Sequence, residues 1–240
     1  MNVQGSVTQV LLIEDNSQIG HARRVAQRLA EQHDFDTTDA GRAALLATEL
    51  GSNLLKHAGR GELHLRVIPG RAGCGVEIIA VDRGPGFDLD QCLTDGFSTR
   101  GTQGIGLGAL ARQAQVFDAY SDARGSVVLA QLFPRGVQPP PWRYGVSQHP
   151  YPGETTCGDA WQLAFDGQRC SALLIDGIGH GELAQQAAEA GALAFAETPL
   201  DSPFTLFSHM HQAMIGTRGG AAAIAHFDGE RQTLNFAGVG

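Results

Sequence analysis

Apolar positions along the first half of the chain alternate between a strand-like and a helix-like rhythm. Residues 7–13 form a short apolar strand and residues 17–32 a first helix. Residues 39–59 carry Leu46, Leu50 and Leu54 on one stripe, which predicts a long amphipathic helix with Asp39 as N-cap and Gly59 as its stop. Strand-like runs at 63–68 and 76–81 lie around the turn residues Pro69, Gly70 and Gly73 and read as a hairpin. A helix over about 105–117 and a closing strand over 126–133 follow. The sum predicts a mixed α/β (α+β) sandwich, with helices covering one face of a largely antiparallel sheet.

Pro134-Arg135-Gly136-Val137-Gln138-Pro139-Pro140-Pro141 interrupts this pattern, because consecutive prolines favour an extended, semi-rigid spacer and cannot continue a central strand. The expected organisation is a domain over 1–135, a linker over 136–144 and a second domain over 145–240. In the second domain, strand-like runs at 161–165 and 171–175 precede Asp176-Gly177-Ile178-Gly179-His180-Gly181 and an alanine-rich helix. Asp166-Gly167 and Asp228-Gly229 sit between strand-like runs and read as hairpin turns. Asp176-Gly177 differs because a helix follows it: a carboxylate there can reach a metal, and the glycine lets a neighbouring carbonyl approach the same ion.

Charge and composition narrow the possible partners. A net charge of −8 over 240 residues argues against a general nucleic-acid surface. His21-Ala22-Arg23-Arg24 reads as the solvated face of the first helix. No apolar run approaches the roughly 18 residues of a membrane helix, and the N-terminus lacks a signal-peptide pattern, so a cytoplasmic protein is expected. Cys74, Cys92, Cys157 and Cys170 are dispersed without metal-type spacing, which favours reduced structural thiols.

The richest chemistry lies in residues 78–110. An apolar strand ends in Asp82-Arg83-Gly84-Pro85-Gly86, and the glycine-rich Gly104-Ile105-Gly106-Leu107-Gly108 opens a helix. A carboxylate at a strand end can accept a hydrogen bond from a base's amino group. Closely spaced glycines let backbone N–H groups approach phosphate oxygens at a helix N-terminus. Upstream, Glu49, Asn53 and His57 recur at i, i+4 and i+8 on one stripe of the long helix. Alone, that stripe reads as a solvated polar face. Its functional reading has Asn53 offering a neutral oxygen to Mg²⁺ and Glu49 accepting a proton, both facing the phosphates.

Together, Glu49 with Asn53, Asp82 to Gly86 and Gly104 to Gly108 resemble the N, G1 and G2 boxes of the GHKL (Bergerat-fold) ATPases. The resemblance is strongest to the anti-sigma-factor serine kinases, in particular the RsbT-like switch kinases, and covers about residues 1–135. It implies ATP and Mg²⁺ as cofactors, with Asn53 coordinating Mg²⁺, His57 on the nucleotide side of the same helix, and Asp82, with Gly84 and Gly86, recognising adenine. Glu49 would be the general base toward a serine or threonine hydroxyl. Residues 99–108 would form lid and phosphate contacts, with Thr99, Gly104, Ile105, Gly106, Leu107 and Gly108 near the phosphates and Arg100 against the γ-phosphate. Gln103 departs from relatives that carry a further glycine there.

In the second half, Cys157-Gly158-Asp159-Ala160 and Asp176-Gly177-Ile178-Gly179-His180-Gly181 resemble the start of a PPM-type serine/threonine phosphatase of the SpoIIE/RsbX group. That similarity runs through Thr217-Arg218-Gly219-Gly220-Ala221-Ala222 to about residue 240. It implies that Asp159, Asp176 and the Gly177 carbonyl hold Mn²⁺ or Mg²⁺, while His180 shapes the turn. Such phosphatases complete their centre with later aspartates, whereas Asp228 is the last one here, so the sequence reads as part of a longer protein. Two functions follow as expectations. One is a kinase and phosphatase pair acting on a STAS-domain partner; the other is a non-catalytic, ATP-gated module that binds a sigma factor or a phosphatase. Self-association as a homodimer stays open in both.

Overall fold

The computed structural model describes residues 2–4 through their backbone, and 6–70, 73–88, 107–140, 142 and 144–240 in full. The chain divides into two compact units, Thr8–Tyr144 and Met1–Val7 with Gly145–Gly240.

In the first unit a five-stranded sheet has the order β2-β3-β4-β6-β5, from β2 (Gln9–Ile13), β3 (Gly61–Gly70), β4 (Gly73–Asp82), β5 (Val116–Asp122) and β6 (Gly125–Leu132). Its pairings are all antiparallel. Among the described residues it is accompanied by the helices α1 (Asn16–Glu31), α2 (Thr37–Asn53) and α3 (Leu107–Gln113). Alternation along the strands sends Leu63, Leu65, Val76, Ile78, Ala80, Val128 and Ala130 to one face, where they meet α1 and α2. The helices answer with small side chains, Ala22, Ala26 and Ala30 on α1 and Ala40, Ala43 and Ala47 on α2, so their backbones approach the sheet and each other closely. The mixed α/β architecture with helices on one face is therefore the one the hydrophobic pattern calls for.

Several details differ from the sequence reading. The long helix starts earlier, with Asp36 as N-cap accepting from the Asp39 N–H at 2.8 Å. Asp39 instead lies in the first turn, where a carboxylate complements the helix dipole. The expected helix to residue 117 stops at Gln113, and Val116–Asp122 is a strand at the sheet edge, so β6 is an inner strand. The hairpin strands run on to Gly70 and Gly73, and Pro69 is paired inside β3. Proline is tolerated there because β2 pairs with β3 only as far as Leu65, and among the described residues no strand pairs with the other side of Pro69.

The proline-rich stretch is packed onto the first unit. Phe133 is fully buried, and a Cβ on Gly75 would come within 2.6 Å of its ring. A Cβ on Gly70 or Gly73 would meet the Val137 side chain at 2.6 or 2.7 Å. Three glycines thus open a groove that Phe133 and Val137 fill. On the same sheet face Arg66 and Glu77 sit opposite each other across β3 and β4, 6% and 2% exposed, joined at 2.5 Å. Gln131 on β6 donates to the second Glu77 oxygen at 2.7 Å. Tyr144 lies within the field of this pair, and burial pushes its hydroxyl pKa well up.

The second unit is a sheet of order β1-β7-β8-β9-β10, with β1 (Asn2–Gln4), β7 (Asp159–Asp166), β8 (Arg169–Gly177), β9 (Gly220–Asp228) and β10 (Thr233–Val239). Helices α4 (Glu182–Glu197) and α5 (Pro203–Ala213) bury Ala188, Ala192, Phe195, Leu206 and Met210 against Leu173, Ile175 and Ile224. β1 pairs antiparallel with β7, so Met1–Val7 belong with this unit and not with the domain expected over 1–135. Asp166-Gly167 and Asp228-Gly229 are tight connections between paired strands, as read from the sequence.

Candidate nucleotide site

Asp82 is the last residue of β4 and is half-buried. Its Oδ1 accepts the Gly84 N–H at 2.7 Å, which turns the chain out of the strand and fixes the carboxylate at the strand end. The turn is enclosed from two sides. A Cβ on Gly84 would lie 2.8 Å from the Ala58 Cβ, and one on Gly86, where φ is +74°, would collide with the Asp122 carbonyl. Gly84 and Gly86 are therefore glycines because backbone passes where side chains would be.

The helix side arrives at the same place. α2 ends at Asn53 and continues as a π-helical turn, Leu54–Ala58, closed by Gly59 in the left-handed region at φ +79°. The wider turn brings Ala58 onto Gly84, while the buried Leu54 lies against Gly61 beside the Val81 carbonyl. Single π turns inside helices recur at functional sites. Glu49 and Asn53 are half-buried on α2, and His57 lies in the π turn with its side chain exposed. The structure thus joins the helix that carries Glu49 and Asn53 to the turn that carries Asp82, Gly84 and Gly86.

Leu107 and Gly108 open α3, with Gly108 buried and Leu110 fully buried in the core beneath. Thr99, Arg100, Gly104, Ile105 and Gly106 lie outside the described residues. Two residues absent from the sequence reading belong beside Asp82. Ser126, on β6, is its direct cross-strand neighbour and is buried, and Ser121 sits 3.1 Å from Ser126, oxygen to oxygen, and accepts the Phe87 N–H at 2.8 Å. Their hydroxyls line the strand end next to the carboxylate. The signal that could have revealed them is the antiparallel register, which no single-strand pattern encodes.

In the second unit, Asp159 and Asp176 face each other across β7 and β8. Burial, and then the neighbouring Asp176 carboxylate, hold the Asp159 pKa above the usual carboxylate range; Cys157 opposes them by hydrogen bonding. The Gly177 N–H donates to the Gly158 carbonyl at 3.0 Å, and Gly177 is wedged beneath Ala184 of α4, so both glycine-containing motifs meet. His180 is held by Glu154 at 2.8 Å and stacks on Tyr151 with ring centroids 5.2 Å apart. Among the described residues, no three His, Cys, Asp or Glu side chains converge as a metal-binding group. Cys74, Cys157 and Cys170 are free thiols. No helix among the described residues is long and apolar enough to cross a membrane.

Comparison with known proteins agrees with the first unit. Residues 13–132 match the family model described as a histidine kinase-like ATPase domain. Serine/threonine-protein kinase RsbT of Bacillus subtilis (strain 168) is 35% identical over 103 residues, which cover 42% of this chain and 77% of that protein. The histidine kinase domain from Erythrobacter litoralis EL346 blue-light activated histidine kinase aligns at 19% identity over 48% of this chain and 59% of that one, with a TM-score of 0.31. With its strand-end carboxylate, the glycine turn and the abutting π turn of α2 all inside the matched span, the chain belongs to the histidine kinase-like ATPase domain family.

Proposed function

We propose that the first unit is an ATP-dependent protein serine/threonine kinase acting on a hydroxyl of a STAS-domain partner. The observation that carries the reading is the junction of Ala58 with Gly84, which puts the helix bearing Glu49 and Asn53 against the turn bearing Asp82. The similarity to a serine/threonine-protein kinase supports protein phosphorylation as the use of that site. In this reading Asp82 accepts the adenine amino group, and Ser121 and Ser126 line the ring's edge. Asn53 offers its side-chain oxygen on the phosphate side, where Mg²⁺ supplies charge neutralisation when bound with ATP. Glu49 accepts the proton of the incoming hydroxyl as its oxygen bonds to the γ-phosphorus and the bond to the β-phosphate oxygen breaks, releasing ADP.

Among the described residues, the second unit supplies only part of the donor set of a two-metal phosphatase. Asp159 and Asp176 are adjacent, but two carboxylates and one carbonyl do not make such a centre, and the described residues bring no third acid to them. No phosphatase step is therefore assigned to residues 145–240.

The test is Glu49→Gln, assayed for ATP binding and for radiolabel transfer to a purified STAS-domain protein. Binding within about twofold of wild type with transfer reduced on the order of 10²-fold or more supports a general base at Glu49. Undiminished transfer removes Glu49 from that role. A wild-type protein that binds ATP and never labels any STAS protein leaves an ATP-gated binding module in place of a kinase.

A further inference from the structure

α1 carries Arg23, Arg24 and Arg28, whereas its one acid is its last residue, Glu31, in a chain whose formal net charge is −8. His21, Arg24 and Arg28 recur at i, i+3 and i+7, so they share one stripe, exposed along its length and turned away from the buried Ala22, Val25 and Ala26. An acid one turn away would neutralise such a run. Glu31 is instead held by Gln27, whose Nε2 donates to it at 2.8 Å, and among the described residues none of the three arginines is paired with a carboxylate.

The stripe starts beside the candidate site. A Cβ on Gly51 would lie 3.4 Å from Ile19 of α1, and Gly51 stands between Glu49 and Asn53 on α2. Arg24 reaches back along its own helix toward that contact: its guanidinium lies 3.6 Å from where Gly20, the residue after Ile19, would carry a Cβ. α1 therefore holds unpaired positive charge next to the turn of α2 that bears Glu49 and Asn53.

From this placement we infer that the Arg24–Arg28 stripe of α1 is a docking surface for an acidic patch on the protein that receives the phosphoryl group. The inference rests on the first unit being a protein kinase. Transfer requires a partner held so that its hydroxyl reaches Glu49, and contacts remote from the reacting atoms supply that orientation. A molecule of net charge −8 repels an acidic partner on average, so positive charge beside the site selects where such a partner lands and how it is turned. A nucleic acid fits less well, because one helical stripe in an otherwise acidic chain supplies few phosphate contacts.

The experiment measures transfer from ATP to a purified STAS-domain protein by the full chain, as a function of partner concentration, at about 50 mM and about 300 mM salt. The double variant Arg24→Glu, Arg28→Glu should raise the partner's KM about tenfold at low salt, with kcat and the ATP Kd within about twofold of wild type. Raising the salt should weaken wild type toward the variant and change the variant little. Arg24→Gln with Arg28→Gln, which keeps the side-chain length without the charge, should fall between the two. Circular dichroism checks that these exposed substitutions leave the fold intact. An unchanged KM and salt dependence, or a loss confined to kcat or to ATP affinity, overturns the docking surface. So does a variant that loses binding to an RNA oligonucleotide or to phosphatidylserine vesicles while its transfer kinetics match wild type, which would assign the stripe to another anion. A wild-type chain that binds ATP and labels no STAS-domain protein overturns the kinase reading itself, and the docking inference with it.

Discussion

Gly84 and Ala58 approach so closely that a Cβ on the glycine would lie 2.8 Å from the alanine's Cβ and 3.0 Å from its Cα. This contact joins a strand-end turn to a helix end. Gly84→Ala should push the two apart. The expected cost is about 1–3 kcal/mol of stability, as for other overpacked contacts, with a disproportionate loss of ATP affinity. Urea unfolding with and without nucleotide separates the two effects; a variant with wild-type stability and affinity would show that the contact yields freely.

The Arg66–Glu77 pair offers a second expectation. Both side chains are almost fully buried on the sheet face opposite the core helices, and Glu77 also accepts from Gln131. Removing Glu77 takes from Arg66 the buried carboxylate it faces, so Glu77→Ala should destabilise the first unit by about 3–5 kcal/mol, whereas replacing Arg66 and Glu77 together by apolar residues should cost much less. Chemical denaturation of the single and double variants measures both. Equal losses would mean that the charges contribute through packing alone.

This region also shows where the sequence could be read and where it could not. The strand ending at Asp82 and the turn glycines were legible because apolar alternation and glycine spacing are local signals. Prolines 139 to 141 suggested an extended, semi-rigid spacer between domains, yet Val137 before them packs on the sheet, because the groove that receives it is made by Gly70 and Gly73 more than sixty residues upstream. The helix expected over 105–117 took in the first two residues of β5, and 118–122 received no element, although Phe117 and Ala119 alternate toward the core, since Leu107–Gln113 leads into the strand after only two residues. β1 spans three residues and gains its identity only from pairing with β7, so no local pattern announces it. Ser126 was invisible for the same reason: its place beside Asp82 is a matter of register.

His226 supplies a pH dependence in the second unit. Its Nε2 is buried with no hydrogen-bond partner among the described residues, directly across from the buried Ser171 on β8, and burial lowers its pKa below the ordinary 6.5. The folded form therefore resists a proton that the unfolded chain accepts. Above about pH 6.5 neither state is charged and nothing is lost; as pH falls below that value toward the depressed folded pKa, stability declines. Thermal unfolding at pH 7.5 and 5.0 should show this decline in wild type and a smaller one in His226→Phe. Identical pH profiles would assign the decline to other groups.

The proposed ATP site depends on Asp82 to receive the nucleotide. The most direct measurement is the ATP affinity of wild type and Asp82→Asn, together with circular dichroism to show that both are folded. Wild type should bind ATP saturably and the variant at least about tenfold more weakly, since an amide can replace the carboxylate at the Gly84 N–H yet loses the charged acceptor toward adenine. Equal binding by the two proteins, or none by wild type, would contradict it.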